Sequence, residues 1–307
     1  MNWTQPKLLI QELRAPFFTA SAVPVLLGAA LAYARTGHLD GLLFWLTLAG
    51  VMLLHAGANT ANDYFDHLSG NDAANTRFIR PFSGGSRLIQ KGLLPPFHVL
   101  ALSLSCLAAG SLIGLYLAWR AGGLVLALGT IGGLAGFFYT APPFKLGYRG
   151  WGELVIGLTF GLLPVAGTYY VQTSTLPPGI LAASVPVALL VTAILFVNQF
   201  PDYEADRAVG KWNWVVRLGP AGARPLYAVL MLLWPLALAV DIGLRLLPLS
   251  TAWAFIGLVP GLIAIRIVWQ HADEPARVVR AGALTIVIHL GVGLMIAAGV
   301  VFSGAGP

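Results

Sequence analysis

The stretch NTANDYFDHLSGND, residues 59–72, ends one long apolar segment, and NQFPDYEAD, residues 198–206, ends another. These two acidic clusters hold six of the chain's twelve carboxylates: Asp63, Asp66, Asp72, Asp202, Glu204 and Asp206. A carboxylate placed in hydrocarbon costs about 2.5–3.5 kcal/mol on insertion scales, and less near the interface. Gathering six of them in two places therefore indicates a function, and binding a divalent metal with an anionic substrate is the simplest one.

The rest of the chain avoids charge. Of 307 residues, 57% are hydrophobic and only 10% are charged, against about 25% charged in a soluble domain. Apolar runs of about 20 residues, enough to cross a bilayer, recur over the whole length. The sequence therefore predicts one all-α, multi-pass membrane domain over 1–307, with nine spans at 16–34, 41–62, 96–119, 122–140, 153–172, 179–200, 225–244, 248–269 and 281–303.

Basic residues predict how the chain is oriented in the membrane. Fourteen of the 18 Lys and Arg residues fall on the predicted side of the N-terminus, against three opposite, Arg35, Arg120 and Arg245. Positive residues concentrate on the cytoplasmic side. We therefore expect a cytoplasmic (inner) membrane protein with its N-terminus in the cytoplasm and its C-terminus outside. The net charge of +6 then has a topological cause, and we expect no nucleic-acid binding.

Two features of the apolar segments have simple interpretations. Ala32-Tyr33-Ala34 resembles a signal-peptide cleavage site, but the apolar run is long and a weakly basic region with Glu12 precedes it. This favours a membrane helix over a signal peptide. Cys106 is the sole cysteine, so intrachain disulfides are excluded, and we expect it to be a small core residue of the third helix.

The clusters repeat a spacing. Asn59, Asp63 and Asp66 precede Asn198, Asp202 and Asp206 by 139 or 140 residues, and a long polar loop is predicted after each set, at 67–95 and 201–224. This pattern predicts two four-helix repeats followed by one extra helix. Residues at these spacings share a helical face, so each set can point into one cavity.

Oxygen ligands of this kind suit Mg²⁺, which usually takes one or two carboxylates plus substrate phosphates. We therefore predict metal ligation by Asp63, Asp66, Asp202 and Asp206, with Asn59, Asn198 and Asp72 as further candidates. The alternative is that these carboxylates cap helix ends or face water, which is the commoner role of one such motif.

Cationic residues follow both clusters. The loop at 77–92 supplies Arg77, Arg80, Arg87 and Lys91 around Gly84-Gly85, and the second loop supplies Arg207, Lys211 and Arg217. A third segment, 139–153, carries Tyr139, Lys145 and Arg149. Its two prolines predict a non-helical turn, from which Lys145 could reach the site. A lysine that only extends to the membrane interface is the alternative.

Several strings, in this order, carry a resemblance to a known family: NDYFD at 62–66, GGSR at 84–87, YT-x-PP at 139–143, G-x-GE at 150–153, GTYYVQT at 167–173, D-x-E-x-DRA-x-GK at 202–211 and RLG at 217–219. The chain resembles the UbiA family of intramembrane prenyltransferases. Within it, the chain is most similar to enzymes that prenylate 1,4-dihydroxy-2-naphthoate in menaquinone synthesis. The resemblance implies nine transmembrane helices around a central cavity and two Asp-rich motifs that bind Mg²⁺ and prenyl diphosphate.

The resemblance also implies roles for individual residues. Catalytic roles fall to Asp63, Asp66, Asp202, Asp206 and Lys145. Substrate contacts are implied for the following residues: Asn59, Asn62, Arg77, Arg80, Arg87, Tyr139, Arg149, Asn198 and Lys211. Aromatic faces of Phe138, Tyr139, Tyr169 and Tyr170 are candidates for stabilising an allylic cation.

The acceptor is less strongly indicated than the reaction. The chain has Asn198-Gln199 where the naphthoate enzymes often have Asn-Asn, and it also departs from them at Ala141 and Asn213. A pocket for the aromatic acceptor is predicted around Tyr169, Tyr170 and Gln172, although an interfacial aromatic belt would place tyrosines there too. Other acceptors of the family stay open, namely 4-hydroxybenzoate, a glycerol phosphate, and haem or chlorophyll precursors. A secondary transporter is the alternative from a different class.

Overall fold

The computed structural model describes residues 6–80 and 82–303, and within these ranges every regular element is helical. The helices are α1 (Pro6–Glu12), α2 (Thr19–Thr36), α3 (Gly41–Leu68), α4 (Asn71–Ala74), α5 (Pro96–Ala121), α6 (Leu124–Phe137), α7 (Gly152–Ile156), α8 (Leu163–Thr173), α9 (Pro178–Ala208), α10 (Trp214–Gly243), α11 (Leu258–His271) and α12 (Pro275–Ser303). A π-helical turn at Gly157–Leu162 joins α7 to α8. Turns of 3₁₀ helix form at Ala15–Phe18, Leu146–Tyr148 and Leu249–Gly257, and the first and last of these extend α2 and α11 at their N-terminal ends.

The prediction of an all-α, multi-pass membrane protein is confirmed. Within the described ranges, eight helical stretches are long and apolar enough to cross a bilayer. The predicted span at 122–140 contains α6, which has only 14 residues and a length of about 21 Å at 1.5 Å per residue. The hydrocarbon core is about 30 Å thick. The count of nine full spans and the duplicated repeat therefore stay predictions.

The second predicted loop, 201–224, is wrong. Helix α9 continues through the acidic cluster to Ala208, and α10 begins at Trp214, so 209–213 connects them; within the predicted loop, α10 is also broken at Gly219, whose φ of +70° and ψ of 158° are not helical. The end of the apolar run predicts a loop in the polar segment that follows it, yet most residues of that segment are adequate helix formers. Asn213 begins α10 by accepting a hydrogen bond from the Val216 amide at 2.9 Å. The first predicted loop is confirmed for the described residues of 69–95, 69–80 and 82–95, among which only the short α4 is helical.

Close packing of α2, α9, α10 and α12 forms the main core, around Tyr227 and Trp234. Small residues allow the backbones to approach, as is usual between membrane helices. A Cβ at Gly161 would lie 2.4 Å from Ala188 of α9. This packing fixes the end of α9, which carries the second acidic cluster. Cys106 is buried on α5, as predicted for the third span.

Candidate active site

The first cluster lies on the last turns of α3. Asp63 and Asp66 are buried, with 2% and 5% of their surface exposed. Asp66 accepts a hydrogen bond from Asn62 at 3.2 Å. Asn59, Asn62 and Asp66 line a cavity of about 1210 Å³, including its open mouth, whereas Asp63 lies outside its wall.

Asp63 is held from behind by the glycine-rich loop and by the N-terminal segment. It accepts a hydrogen bond from the Ser86 amide at 2.8 Å and forms an ion pair with Arg14 at 3.5 Å. Gly85 has a φ of +65°, and a Cβ there would lie 2.8 Å from the Asp63 Oδ1 atom. Glycine at 85 therefore permits both the backbone conformation and the close approach of the carboxylate.

The second cluster faces the first across this cavity. Asp202 accepts a hydrogen bond from Asn75 at 2.6 Å. Asp206 accepts hydrogen bonds from Asn71 and Asn213, both at 2.7 Å. Asn71 and Asn75 lie after the end of α3 in sequence, so the segment that follows α3 supplies amides that orient the carboxylates of α9.

Lys211 links the two clusters directly. Its Nζ atom lies 3.2 Å from Asp66 and 3.6 Å from Asp206. Burial acts to lower the pKa of Lys211, but Asp206 and Asp66 outweigh that effect and raise the pKa well above its usual value. Tyr148 supports the same corner by donating to Asp66 at 3.0 Å.

Buried carboxyl groups continue along the loop side of the site. Asp72 lines the cavity and accepts a hydrogen bond from Gln90 at 2.8 Å. Burial, with the charges of Asp63 and Asp66, raises the pKa of Asp72 to about 8. Glu12 of α1 accepts a hydrogen bond from the Ser86 hydroxyl at 2.5 Å, and burial raises its pKa to about 8, with Asp63 adding to the shift.

The predicted arginines of the first loop hold the loop's own shape. Arg80 donates to the Ser86 carbonyl. Arg87 donates to the Asp72 carbonyl and lies 4.2 Å from the centre of the Phe78 ring. Arg77 lines a separate surface depression beside Arg207. None of the three lines the main cavity, where Arg14 and Lys211 are the cationic residues among the described lining residues.

In the third segment, 139–153, one predicted residue lines the cavity and two do not. Tyr139 lines the cavity, as predicted. Lys145 is half-buried with its Nζ atom 5.1 Å from the centre of the Tyr148 ring, and Arg149 is exposed and donates to the Pro143 carbonyl at 3.0 Å. Neither side chain is on the cavity wall, and the catalytic role of Lys145 stays a prediction.

The predicted acceptor pocket on α8 does not form. Tyr169 is buried in the main core, and Tyr170 packs against Gly122. Gln172 exchanges hydrogen bonds with the backbone of Asp40 at 2.9 and 3.1 Å. None of the three lines the polar cavity described above or the apolar cavity beside it; Gln172 instead holds the end of α8 against the start of α3.

A second, apolar cavity of about 850 Å³ adjoins the polar one. Both are lined by His55, Ala58, Gly136, Thr159 and Phe160. His55 forms a 2.8 Å hydrogen bond with Ser21, and its ring meets the Phe160 ring edge to face at 4.6 Å between centres. The site therefore has a charged compartment beside the loops and an apolar compartment between helices.

Sequence reasoning missed the partners that assemble the charged compartment. Asn71 and Asn213 stand next to predicted residues in sequence, so a search for amides near the clusters would have found them. The sequence did not indicate the contacts of Arg14 and Glu12, or those of Ser86 within the GGSR string. These contacts depend on how α1 and the glycine-rich loop pack against α3.

The donor set fits a hard divalent cation. Four carboxyl groups line the cavity, Asp66, Asp72, Asp202 and Asp206, against two cationic side chains, so the wall offers several oxygen ligands of the kind that Mg²⁺ binds. Among the residues described, no three His, Cys, Asp or Glu side chains form a group that could hold an ion by itself. An ion here would therefore need oxygens from a substrate, which is the usual situation for Mg²⁺.

Comparisons with known proteins agree with this architecture. The model of the UbiA prenyltransferase family matches residues 21–288. The chain is 31% identical to 2-carboxy-1,4-naphthoquinone phytyltransferase of Synechocystis sp. (strain ATCC 27184 / PCC 6803 / Kazusa) over 98% of its own length and 95% of that protein. It is also 31% identical to 1,4-dihydroxy-2-naphthoate octaprenyltransferase of Escherichia coli (strain K12), over 84% and 82% of the two chains.

Solved structures share the fold. A UbiA homolog from Archaeoglobus fulgidus bound to GPP and Mg²⁺ superposes with a TM-score of 0.59 at 14% identity, over 95% of this chain and 99% of that one. The family match extends over most of the chain, and the similarity to the Synechocystis protein runs nearly end to end. The protein therefore belongs to the UbiA prenyltransferase family.

Proposed function

We propose that this protein transfers a polyprenyl group from prenyl diphosphate to 1,4-dihydroxy-2-naphthoate, with Mg²⁺ as its cofactor. The observation that carries the proposal is the convergence of two acidic clusters on one cavity that adjoins an apolar cavity. Two relatives at 31% identity support the acceptor, a 2-carboxy-1,4-naphthoquinone phytyltransferase and a 1,4-dihydroxy-2-naphthoate octaprenyltransferase. The A. fulgidus homolog bound to GPP and Mg²⁺ supports the donor and the metal.

Each compartment has a role in this reaction. Asp66, Asp202 and Asp206 would hold Mg²⁺ together with the diphosphate, with Asp63 supporting the cluster from behind. Bound Mg²⁺ supplies charge neutralisation that makes the diphosphate a better leaving group. Lys211 and Arg14 line the same wall and add positive charge toward the leaving group.

The apolar compartment has a complementary role. It holds isoprene units and keeps water away from the allylic carbon, which would otherwise be captured as an alcohol. The ring faces of Tyr139 and Phe160, both on the cavity wall, can stabilise positive charge on that carbon. The acceptor ring then attacks this carbon from within the polar cavity as its bond to the diphosphate oxygen breaks. The ring regains its aromatic state by losing a proton or, for the naphthoate, its carboxyl group as CO₂.

The arrangement also separates this proposal from a transporter. The carboxylates lie on the last turns of α3 and α9, beside the polar loops, whereas transport sites lie near mid-membrane. We propose that these loops face the cytoplasm, because fourteen basic residues fall on this predicted side and three opposite. The termini, residues 1–5 and 304–307, lie outside the described residues.

The test uses purified protein in lipid nanodiscs with Mg²⁺, a polyprenyl diphosphate and one acceptor at a time, followed by mass spectrometry. We expect prenylated product from 1,4-dihydroxy-2-naphthoate and none without divalent metal. Product from 4-hydroxybenzoate or a glycerol phosphate alone would contradict the acceptor and leave the reaction class standing. Absence of product from every acceptor would contradict the function itself.

A further inference from the structure

A buried polar pair, Glu153 and Gln199, lies beside the polar cavity with Gln199 in the cavity wall, and the mechanism above does not use it. Glu153 begins α7 and has no exposed surface, and Gln199 of α9 is 6% exposed. The Glu153 Oε1 atom accepts two hydrogen bonds, from the Gln199 side-chain amide and from the Trp214 backbone amide, both at 2.8 Å.

The remaining oxygen of each side chain lacks a partner. Within the described part of the chain, the Glu153 Oε2 and Gln199 Oε1 atoms are buried without a hydrogen bond. Such atoms are rare in native structures because each has lost water without gaining a replacement. The Gln199 amide nitrogen donates to Glu153, so its carbonyl oxygen points away from Glu153. An amide oxygen only accepts, so the missing partner is a hydrogen-bond donor.

The position of Gln199 indicates where that donor would come from. Gln199 lines the polar cavity together with Asn198, Tyr139 and Asp202. Gln199 precedes Asp202 by three residues, so it lies about 4.5 Å closer to the start of α9, on the apolar side of the cluster. A hydrogen-bond donor bound at Gln199 would thus lie next to the allylic carbon of a prenyl diphosphate held at Asp202.

We propose that the Gln199 carbonyl oxygen accepts a hydrogen bond from a ring hydroxyl of the aromatic acceptor, and that Glu153 is a positioning residue that fixes the Gln199 amide in this orientation. This rests on the proposed function and makes Gln199 a specificity-determining residue. A site built to bind a hydroxyl rejects analogues that lack it, because the buried acceptor is then left unpaired.

The test is a binding cycle that needs no turnover. The protein is held with Mg²⁺ and a non-reactive prenyl thiolodiphosphate. Dissociation constants are then measured for 1,4-dihydroxy-2-naphthoate and for 1-hydroxy- and 4-hydroxy-2-naphthoate, each lacking one hydroxyl. Wild type is compared with Gln199→Met, which keeps the side-chain length and removes the polar atoms. Gln172→Met is the matched control, because Gln172 binds the Asp40 backbone and lines neither cavity.

In wild type and in Gln172→Met, we expect one monohydroxy analogue to bind at least about 30-fold more weakly than the parent. In Gln199→Met, this ratio should fall below about 3-fold, with thiolodiphosphate affinity unchanged. An equal ratio in wild type and Gln199→Met would overturn the proposal. If Gln199→Met does not fold, Gln199→Leu, which also removes the polar atoms, is expected to reduce the same ratio, and an unchanged ratio again overturns the proposal.

Glu153→Gln tests the positioning role. It keeps the shape of the side chain but allows either amide of the pair to rotate, so the ratio between parent and analogue should fall by about tenfold. A merely structural role would lower yield or thermal stability and leave this ratio intact. Failure of the proposed function looks different, because wild type would then bind no naphthoate at all.

Discussion

At the scale of single residues, Lys211 has a different status from the other predicted basic side chains. It is the lysine that contacts both acidic clusters, at 3.2 Å from Asp66 and 3.6 Å from Asp206. Lys145, which the sequence suggested equally strongly, contacts the face of Tyr148 instead. Proximity in sequence to a motif could not separate the two, because the difference arises from where the 138–151 segment turns.

We predict that Lys211→Met lowers prenyl transfer by at least about 100-fold, the scale for losing a positioned electrostatic catalyst. It also leaves carboxylates buried without their cation. Lys91→Met, an exposed change in the first loop, should alter the rate by less than about twofold. Steady-state rates of folded protein decide this. A rate in Lys211→Met close to that of Lys91→Met would show that the bridge is not used.

At the scale of elements, the glycine-rich loop is the part that holds Asp63. Two glycines with positive φ allow a matched comparison: Gly85, whose added Cβ would lie 2.8 Å from the Asp63 Oδ1 atom, and Gly70, where nothing lies within 4 Å. Both substitutions to alanine pay a similar backbone cost, of about 1–2 kcal/mol.

We therefore expect both Gly85→Ala and Gly70→Ala to lower the thermal midpoint, and Gly85→Ala to lower it further because its Cβ also meets the Asp63 carboxylate. Only Gly85→Ala should reduce turnover, by about tenfold or more, because it displaces Asp63. Thermal unfolding in detergent and initial rates measure the two effects separately. Equal loss of activity in both variants would mean that the loop matters for stability and not for placing the carboxylate.

Apolar periodicity predicted most of the fold, because hydrophobic length decides which helices can span the membrane. It failed where helices continue into polar sequence. The end of α9, through Asp206 to Ala208, is helical although its composition resembles a loop. The two acidic clusters could be predicted because the rest of the chain contains few charged residues. The contacts of Asn75 with Asp202 and of Arg14 with Asp63 depend on tertiary packing, which spacing along the chain does not encode.

At the scale of the whole molecule, the charged compartment lies beside the predicted cytoplasmic loops and the apolar compartment lies among the helices. Orientation can be tested because Cys106 is the only cysteine and is buried. In a Cys106→Ser background, a membrane-impermeant maleimide should label His38→Cys in intact cells. It should label Lys91→Cys only after permeabilisation, since both positions are exposed but on opposite predicted sides. The reverse pattern would invert the proposed topology.

The central claim is that the two acidic clusters form one metal–diphosphate site. The most direct measurement is the Mg²⁺-dependent binding of a prenyl thiolodiphosphate to wild type, Asp66→Asn, Asp202→Asn and the double variant, with the exposed Asp273→Asn as control. We predict that each single variant loses at least about 100-fold in affinity and that the double variant loses little more, because residues of one site are not additive. A shared site would be contradicted if folded Asp202→Asn bound with the Mg²⁺-dependent affinity of wild type. It would also be contradicted if the loss in the double variant equalled the product of the two single losses.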